Sequence, residues 1–326
     1  MSEYTPVDVL IIGAGPAGLS AALSLAGRLH TAIVFDNCTY RNANALHMHL
    51  LPTWDRRSPT RFRSQAKTEI VTNYSTVRIV EVEVKKAEKI NDSLFQLTDG
   101  KTIWQGKKLI LATGLEDVFP HVRGYAYVWR KGIFHCRCQR YGDRNTSSAG
   151  VLAITPQANV RMAIHQAETA AEFCSTVTIY TNGAGALATE LSTKLPHRPD
   201  SSFKVDNRLI ANLSLDYGAW PQSSQVRLVG GTTFNHTFLM HSPTTRIKGP
   251  FVAQLGIALA TETITGSVDI AVSQPFLQTN VRGVFAAGDC MMPLKSVVGA
   301  MSSGASAAYG ASTQLRAENN GRTPPF

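Results

Sequence analysis

Three sets of residues in this chain have the types and the spacing that chemistry requires. The first is Gly13-Ala14-Gly15-Pro16-Ala17-Gly18. Glycines so placed suit a turn that carries a dinucleotide. The first bends the chain tightly, the second lets the backbone approach a pyrophosphate, and the third lets a helix pack closely on a strand. Asp36 follows about 20 residues on, where a carboxylate can accept hydrogen bonds from a ribose diol. The second set is His135-Cys136-Arg137-Cys138-Gln139. Two thiols one residue apart can close a small, strained, easily reduced disulfide, and His135 and Arg137 beside them would lower a thiol pKa. His135, with an ordinary pKa near neutrality, suits a general base; a structural histidine bonded to backbone is the other reading. The third set, Ala112-Thr113-Gly114 and Gly288-Asp289, lies directly after two apolar runs, and taken by itself Gly288-Asp289 reads as a turn. His47 and His49 alternate on an extended segment with no further cysteine or carboxylate ligand near in sequence, so no metal site is expected.

These residues need a frame to hold them, and the apolar patterning supplies an α/β one. Val7 to Ile12 reads as a buried parallel strand, Ala17 to Leu29 as a helix, and Thr31 to Asp36 as the next strand, which closes a βαβ unit. Further strands are expected at Val77 to Val84, Phe95 to Thr98 and Lys108 to Thr113. A second βαβ pattern runs from Gly150 to Ile154, through a helix from about Ala158 to Cys174, to Val177 to Tyr180. From Val252 the chain returns to the first domain, ending with Val284 to Asp289 and a helix of small residues beyond Ser296. The expected organisation is therefore one discontinuous domain, 1–117 with 244–326, and an inserted domain, 118–243. The tail from Glu318 to Phe326 is expected to fray.

The 326 residues, 44% hydrophobic and 17% charged, can build two domains of about 150 residues each. Net charge is +9, from 32 Lys and Arg against 23 Asp and Glu, scattered in doublets such as Arg56-Arg57 and Lys107-Lys108. No basic run or basic helix face stands out, so a nucleic-acid partner is not expected. A mildly positive field can still favour an anionic substrate or cofactor. The uncharged stretch from Val9 to Gly27 is broken by glycines and a proline at turn spacing and has no basic start, so neither a membrane span nor a signal peptide fits. Five cysteines (Cys38, Cys136, Cys138, Cys174, Cys290) are too few and too irregular for a disulfide scaffold. A soluble, cytoplasmic protein is expected.

The glycine turn, Ala112-Thr113-Gly114 and Gly288-Asp289 together resemble flavoprotein disulfide reductases of the thioredoxin reductase type, over nearly the whole chain. The form most similar is that of the fungal dithiol oxidases that close disulfides in gliotoxin-type metabolites. Three stretches carry that likeness: Phe35-Asp36-Asn37 with Tyr40-Arg41-Asn42; His47-Met48-His49 with Trp54-Asp55-Arg56-Arg57 and Phe62-Arg63; and Gly132-Ile133-Phe134-His135-Cys136. The resemblance implies two Rossmann-like, three-layer domains, FAD as cofactor, and a homodimer. It implies FAD contacts for Gly13, Gly15, Pro16, Ala17, Gly18, Asp36, Asn37, Arg41, Asn42, His49, Ala112, Thr113, Gly114, Gly288 and Asp289. It also implies them for Val297 and Val298, at the start of a helix aimed at the flavin ring. Asp289 would meet the ribityl chain and pyrophosphate.

Two departures from the family pattern bear on the chemistry. Where the inserted domain should bind NADPH, Thr155-Pro156-Gln157-Ala158-Asn159 holds no glycine and Thr181-Asn182-Gly183 no basic cluster. Side chains there would block a pyrophosphate, and Pro156 lacks an N–H. The redox motif, Cys-x-x-Cys in the family, reads Cys136-Arg137-Cys138-Gln139. Gln139 then takes the flavin-facing place, and Cys138, one residue early, is turned about 100° away on a helix. The expected function is an FAD-dependent oxidase of fungal secondary metabolism that dehydrogenates a small intermediate with O2 as acceptor. It would work without NADPH and without a dithiol relay, with His135 as base and Gln139 positioning substrate or flavin. The alternatives are a dithiol oxidase using Cys136 and Cys138, and a flavin-binding scaffold without turnover.

Overall fold

Gly13 divides the uncharged N-terminal run into a strand and a helix. The structure, a computed structural model, describes residues 5–135, 146–196, 202–218, 223–261 and 267–326. In β1 (Val7–Ile12) every residue from Val9 on is buried, which is why the run is continuously apolar rather than alternating. In α1 (Pro16–Ala26) a proline opens the first turn, where its missing N–H has no helical partner to lose. Next come β2 (Ala32–Phe35), α2 (Pro59–Asn73), β3 (Val77–Val80), β4 (Lys86–Asn91), β5 (Leu94–Thr98) and β6 (Ile103–Leu111). The chain then leaves along β7 (Leu115–Val118).

Between β7 and its return lie α3 (Tyr125–Val128), β8 (Ile133–Phe134), β9 (Thr146–Leu152), α4 (Val160–Ala171), β10 (Cys174–Tyr180), α5 (Gly185–Lys194) and β11 (Ser202–Asp206). They are followed by β12 (Ile210–Asp216), β13 (Ser223–Leu228), β14 (Thr233–His236) and β15 (Phe238–Met240). The chain comes back along β16 (Thr244–Ile247) and ends with α6 (Phe251–Leu255), β17 (Val284–Ala286) and α7 (Val297–Asn319).

Two sheets with parallel cores result. In the first, among the described residues, β3, β2, β1, β6 and β17 are parallel neighbours, and β5 and β4 extend β6 antiparallel. In the second, β11, β10, β9, β15 and β8 all run parallel, while β12, β13 and β14 form a separate antiparallel sheet. The strands β7 and β16 pair antiparallel with Val118 opposite Thr244, so departure and return run side by side. The small residues of α7 have a packing reason: a Cβ added at Gly304 would lie 2.1 Å from the Ala17 carbonyl oxygen, so α7 and α1 meet nearly backbone to backbone.

The structure differs from expectation in several places. Helix α2 was not read from the sequence. Only Phe62, Ala66 and Ile70 mark its apolar face, and its start rests on Ser58, whose hydroxyl accepts from the Arg61 N–H at 3.4 Å. The expected strand to Val84 stops at Val80, and α1 stops at Ala26, three residues short. The tail is not frayed. Phe326 stacks on Phe276 with ring centroids 4.5 Å apart, and its carbonyl oxygen accepts from Gln314 at 3.1 Å. Helix α7 is also tied to β6 through Lys108, which is fully buried and donates to both carboxylate oxygens of Glu318 at 2.7 Å.

Replacing one partner of a buried ion pair strands the other. Glu318→Gln is therefore expected to lower unfolding free energy by about 3 kcal/mol in urea titration, and a loss no larger than that of an exposed pair would refute the structural weight given to Lys108.

A second expectation concerns pH. His236 bonds Tyr180 OH (2.7 Å) and Ser148 Oγ (3.2 Å), and His241 bonds Tyr125 OH (2.5 Å) and the Ile154 carbonyl (3.3 Å). Burial pushes both imidazoles down to about 4. For each of these groups the unfolded chain binds about one more proton than the native one between pH about 4 and about 6.5. Stability should fall as pH drops through that window, these two histidines together adding up to about 2.7 kcal/mol per pH unit. Urea titrations at pH 7 and pH 5 read this directly, and His236→Gln should remove up to about 1.4 kcal/mol per pH unit from the slope.

Candidate active site

A cavity of about 690 Å³ lies against the carboxyl ends of the first sheet's strands. Its wall takes Ile12 to Ala17 after β1, Asp36 and Asn37 after β2, Ala112 to Gly114 after β6, and Ala287 to Asp289 after β17. Ligands of open α/β sheets bind in such a crevice. Arg41, Asn42, His47, His49, Lys248, Val297, Val298, Arg130 and His135 complete the wall. The glycine turn, both short motifs and His135 thus face one space. Gly18 stands outside the wall.

The three glycines of the turn do different work. Gly13 has φ +109°, and a Cβ there would lie 2.3 Å from the Ala112 carbonyl oxygen. A Cβ on Gly18 would lie 1.8 Å from the Gly13 carbonyl oxygen, so this residue lets α1 sit on the strand end. Nothing lies within 4 Å of a Cβ on Gly15; its open side is the cavity. No side chain caps the N-terminus of α1, so first-turn N–H groups and the positive end of the helix dipole are available to an anion.

The polar side chains are largely preorganised. Asp36 is buried and accepts from the Cys38 N–H (2.9 Å), from Tyr40 OH (2.5 Å) and from the Lys67 ammonium. Burial alone would raise its pKa, but these bonds outweigh it and hold the carboxyl below its ordinary range. Burial, then the bond to Asp36 and its charge, push Tyr40 up to about 12 against the opposing pull of the Lys67 ammonium. Asp36, Cys38 and Glu81 could together offer metal ligands, but the Lys67 ammonium, on Asp36 and 3.6 Å from Glu81, already supplies that cluster's cation. Arg41 joins Asp289 (3.0 Å) to Asp117 (2.7 and 3.0 Å). Arg63 donates to Asn42 (2.8 Å) and lies over the Tyr40 ring. Ser296 caps α7, accepting from the Gly299 N–H at 3.1 Å, so the first turn of that helix, with Val297 and Val298, meets the cavity.

His135 departs from expectation. The residue is half-buried but its Nδ1 is shut off from solvent. Burial, then the Arg41 and Arg130 guanidiniums, hold its pKa at about 3 rather than near neutrality. At pH 7 it is a neutral imidazole leaning on Trp129. Cys136, Cys138 and Gln139 lie outside the described residues, so their expected roles stay with the sequence. Lys67, Tyr40, Asp117 and Arg130 were missed. Asp117 had a signal, since it follows the Ala112-Thr113-Gly114 turn closely, and so did Tyr40, which adjoins Arg41 four residues after Asp36; Lys67 and Arg130 come from distant segments.

The turn of the second βαβ unit contrasts with the first. Thr155-Pro156 is followed by Gln157, which is buried and whose side-chain oxygen accepts from the Ser242 N–H (2.8 Å) and Gln166 (2.7 Å). Asn159 caps α4, accepting from the Met162 N–H at 2.9 Å. After β10 the Asn182 side chain is taken by the Ile210 N–H (2.7 Å), and Arg208, the nearby base, is held by Asp206.

Among the described residues, eight buried side-chain polar atoms lack a partner, and four belong to cavity residues: His49 Nδ1, Thr113 Oγ1, Arg130 Nε and His135 Nδ1. Buried polar groups are normally satisfied, so this clustering marks a place where a ligand supplies the partners. An uncapped helix end for a pyrophosphate, a carboxylate for a ribose and these orphaned atoms fit FAD. No helix among the described residues is long and apolar enough to cross a membrane.

Comparison with known proteins agrees with this geometry. Residues 7–205 match the family described as pyridine nucleotide-disulphide oxidoreductase. The chain is 39% identical to thioredoxin reductase sirT of Leptosphaeria maculans over 314 residues, 94% of each chain. It is 41% identical to thioredoxin reductase tcpT of Claviceps purpurea over 330 residues, 100% of this chain and 99% of that one. Among solved structures, an oxidoreductase from Agrobacterium tumefaciens matches with a TM-score of 0.82 at 27% identity, over 96% of this chain and 99% of that chain.

The unequal glycines give a test. Gly15→Ala should fold with wild-type stability yet bind FAD at least about tenfold more weakly, since its methyl enters the cavity rather than the core. Gly18→Ala should lose several kcal/mol, as overpacking against backbone does. Flavin content and thermal unfolding separate the two effects; equal behaviour of the variants would overturn the assignment.

Proposed function

The chain belongs to the pyridine nucleotide-disulphide oxidoreductases and is an FAD-dependent oxidoreductase, and from that premise we propose that a small organic substrate, not NADPH, delivers the electrons and dioxygen removes them. The observation that carries this reading is the contrast between the two βαβ turns. The α1 turn leaves its helix end uncapped and open to a cavity. The α4 turn spends Asn159 and Gln157 on its own backbone and neighbours, and the base near the second strand is engaged by Asp206. A helix end already capped has little left for a second pyrophosphate.

FAD, when bound, supplies the two-electron acceptor. Gly15 and Ala17 would present N–H groups, and α1 its helix dipole, to the pyrophosphate, with Pro16 shaping the turn, while Asp36 and Asn37 would hold the ribose. Asp289, aimed by its bond from Arg41, would serve the ribityl chain. Asn42, His49, Ala112, Thr113, Gly114 and Gly288 shape the remaining wall. The N-terminus of α7 at Val297 and Val298 favours negative charge beside the ring. His135, neutral at pH 7, is a hydrogen-bonding partner that takes a proton only as negative charge develops next to it. Gln139 positions the substrate. In balance, the substrate loses two electrons and two protons, and dioxygen gains both to become hydrogen peroxide.

A second reading has its own support: the curated relatives are named thioredoxin reductases, and Cys136 directly follows the cavity residue His135. In it, a Cys136–Cys138 disulfide would be broken to two thiols by a substrate dithiol, whose sulfurs join as a disulfide. It would re-form as two electrons and two protons pass by way of the flavin to dioxygen, giving hydrogen peroxide.

Anaerobic titration of the FAD-loaded protein distinguishes these readings. Excess NADPH should leave the flavin band unbleached; rapid stoichiometric bleaching would sink the proposal. A small dithiol should bleach neither wild type nor Cys136→Ser on the first reading. On the second, it bleaches wild type only.

A further inference from the structure

We infer that Arg130 is the anion-binding residue of the substrate's part of the cavity, and that the substrate carries a carboxylate. The inference rests on the reading of the cavity as a flavin site that also admits a small molecule.

Arg130 follows α3, and its backbone is in the left-handed region, φ +62°, held there by its N–H donating to the Ile133 carbonyl at 2.9 Å. Long side chains seldom adopt this conformation, and such strain gathers at functional sites. The position places the guanidinium in the cavity wall with only 6% of the side chain exposed. A guanidinium cannot shed its charge when buried, so it needs a counter-charge.

Among the described residues, the charges that face it provide only part of one. Asp117 forms an ion pair with it, but a long one, 3.6 Å from Nη2. That carboxylate is already taken by two bonds from Arg41 and one from Trp129 Nε1 at 3.1 Å. Asp289 acts on it from a distance and is bonded to Arg41. Arg41 itself repels it, His135 beside it is neutral, and the Trp129 ring offers only its face, 5.7 Å away. Among the described residues Nε has no partner at all. Two guanidiniums thus share one fully engaged carboxylate and a second that Arg41 holds. An oxyanion entering the cavity would complete the set, with a planar fork that matches a carboxylate. The cofactor's pyrophosphate is a poor candidate for that anion, because the open end of α1 at Gly15 already provides for it. Arg130 instead adjoins His135, on the segment leading to the cysteines. The net charge of +9 draws anions the same way.

The test uses full-length, FAD-loaded protein with benzoate as probe and benzamide, its uncharged isostere, as control. Binding is read from the flavin difference spectrum, and FAD content and affinity are measured in parallel. Arg130→Gly suits the backbone, since glycine adopts this φ freely, and Arg130→Lys keeps charge without the fork. Benzoate should perturb the wild-type spectrum saturably and bind Arg130→Gly about 10- to 100-fold more weakly. Arg130→Lys should fall between, while benzamide binds all three alike and FAD affinity stays constant. Unchanged benzoate binding in Arg130→Gly, or no wild-type response to benzoate, would overturn the inference. So would a parallel loss of FAD affinity, which would give Arg130 to the cofactor's phosphates. Wild-type protein that holds no FAD would instead bring down the reading of the cavity, and this inference with it.

Discussion

The cavity depends on how closely α1 approaches its neighbours. On one side the helix rests on the strand ends, where Gly18 meets the Gly13 carbonyl and Gly13 meets that of Ala112. On the other, α7 reaches Ala17 at Gly304. A methyl group at any of these contacts would push against backbone, which cannot rotate away as a side chain can. The helix is therefore fixed in height and direction by atoms that no rotamer can adjust. Its uncapped end can then point reliably at one place, with Asp36 and Gly288 brought up beside it by β2 and β17.

The same supersecondary unit occurs twice, with opposite outcomes. In the first copy glycines remove side chains from the turn, and the unpaired N–H groups of α1 remain for a ligand. In the second, Asn159 caps the helix end from within the chain, and the Gln157 side chain beside it is bonded to Ser242 and Gln166. A βαβ unit is stable either way, because a helix end gains about 1 kcal/mol from its own cap or an equivalent contact from a bound phosphate. Fold and nucleotide binding are thus separable, and the difference is written in a few turn residues.

Much of this was legible because turn chemistry is local. Spacing put the glycine turn and Asp36 in one site, the family resemblance added Thr113 and Asp289, and strands buried on both faces announced themselves as apolar runs. Helix α2 was hidden because Phe62, Ala66 and Ile70 are its only apolar markers among polar neighbours. The tail was misread because its packing depends on Phe276, far away in sequence. The titration of His135 was misread for the same reason. A pKa near neutrality belongs to a solvated imidazole, and the burial and the two guanidiniums that depress it come from α3, β8 and the segment after β2. Lys67, which neutralises Asp36, is likewise a long-range partner with no local signature.

The pairing of β7 with β16 has a topological consequence. Residues 119–243 enter and leave at adjacent rungs of one ladder, so their ends lie about one strand spacing apart, near 5 Å. A segment attached in this way behaves as a cassette: a short turn could replace it without breaking the order of strands in the first sheet. The contents of such a cassette can be exchanged while the first sheet and its glycine turn stay intact. Among the described residues of the cassette, Arg130 and His135 line the cavity, so an exchange would be felt there first.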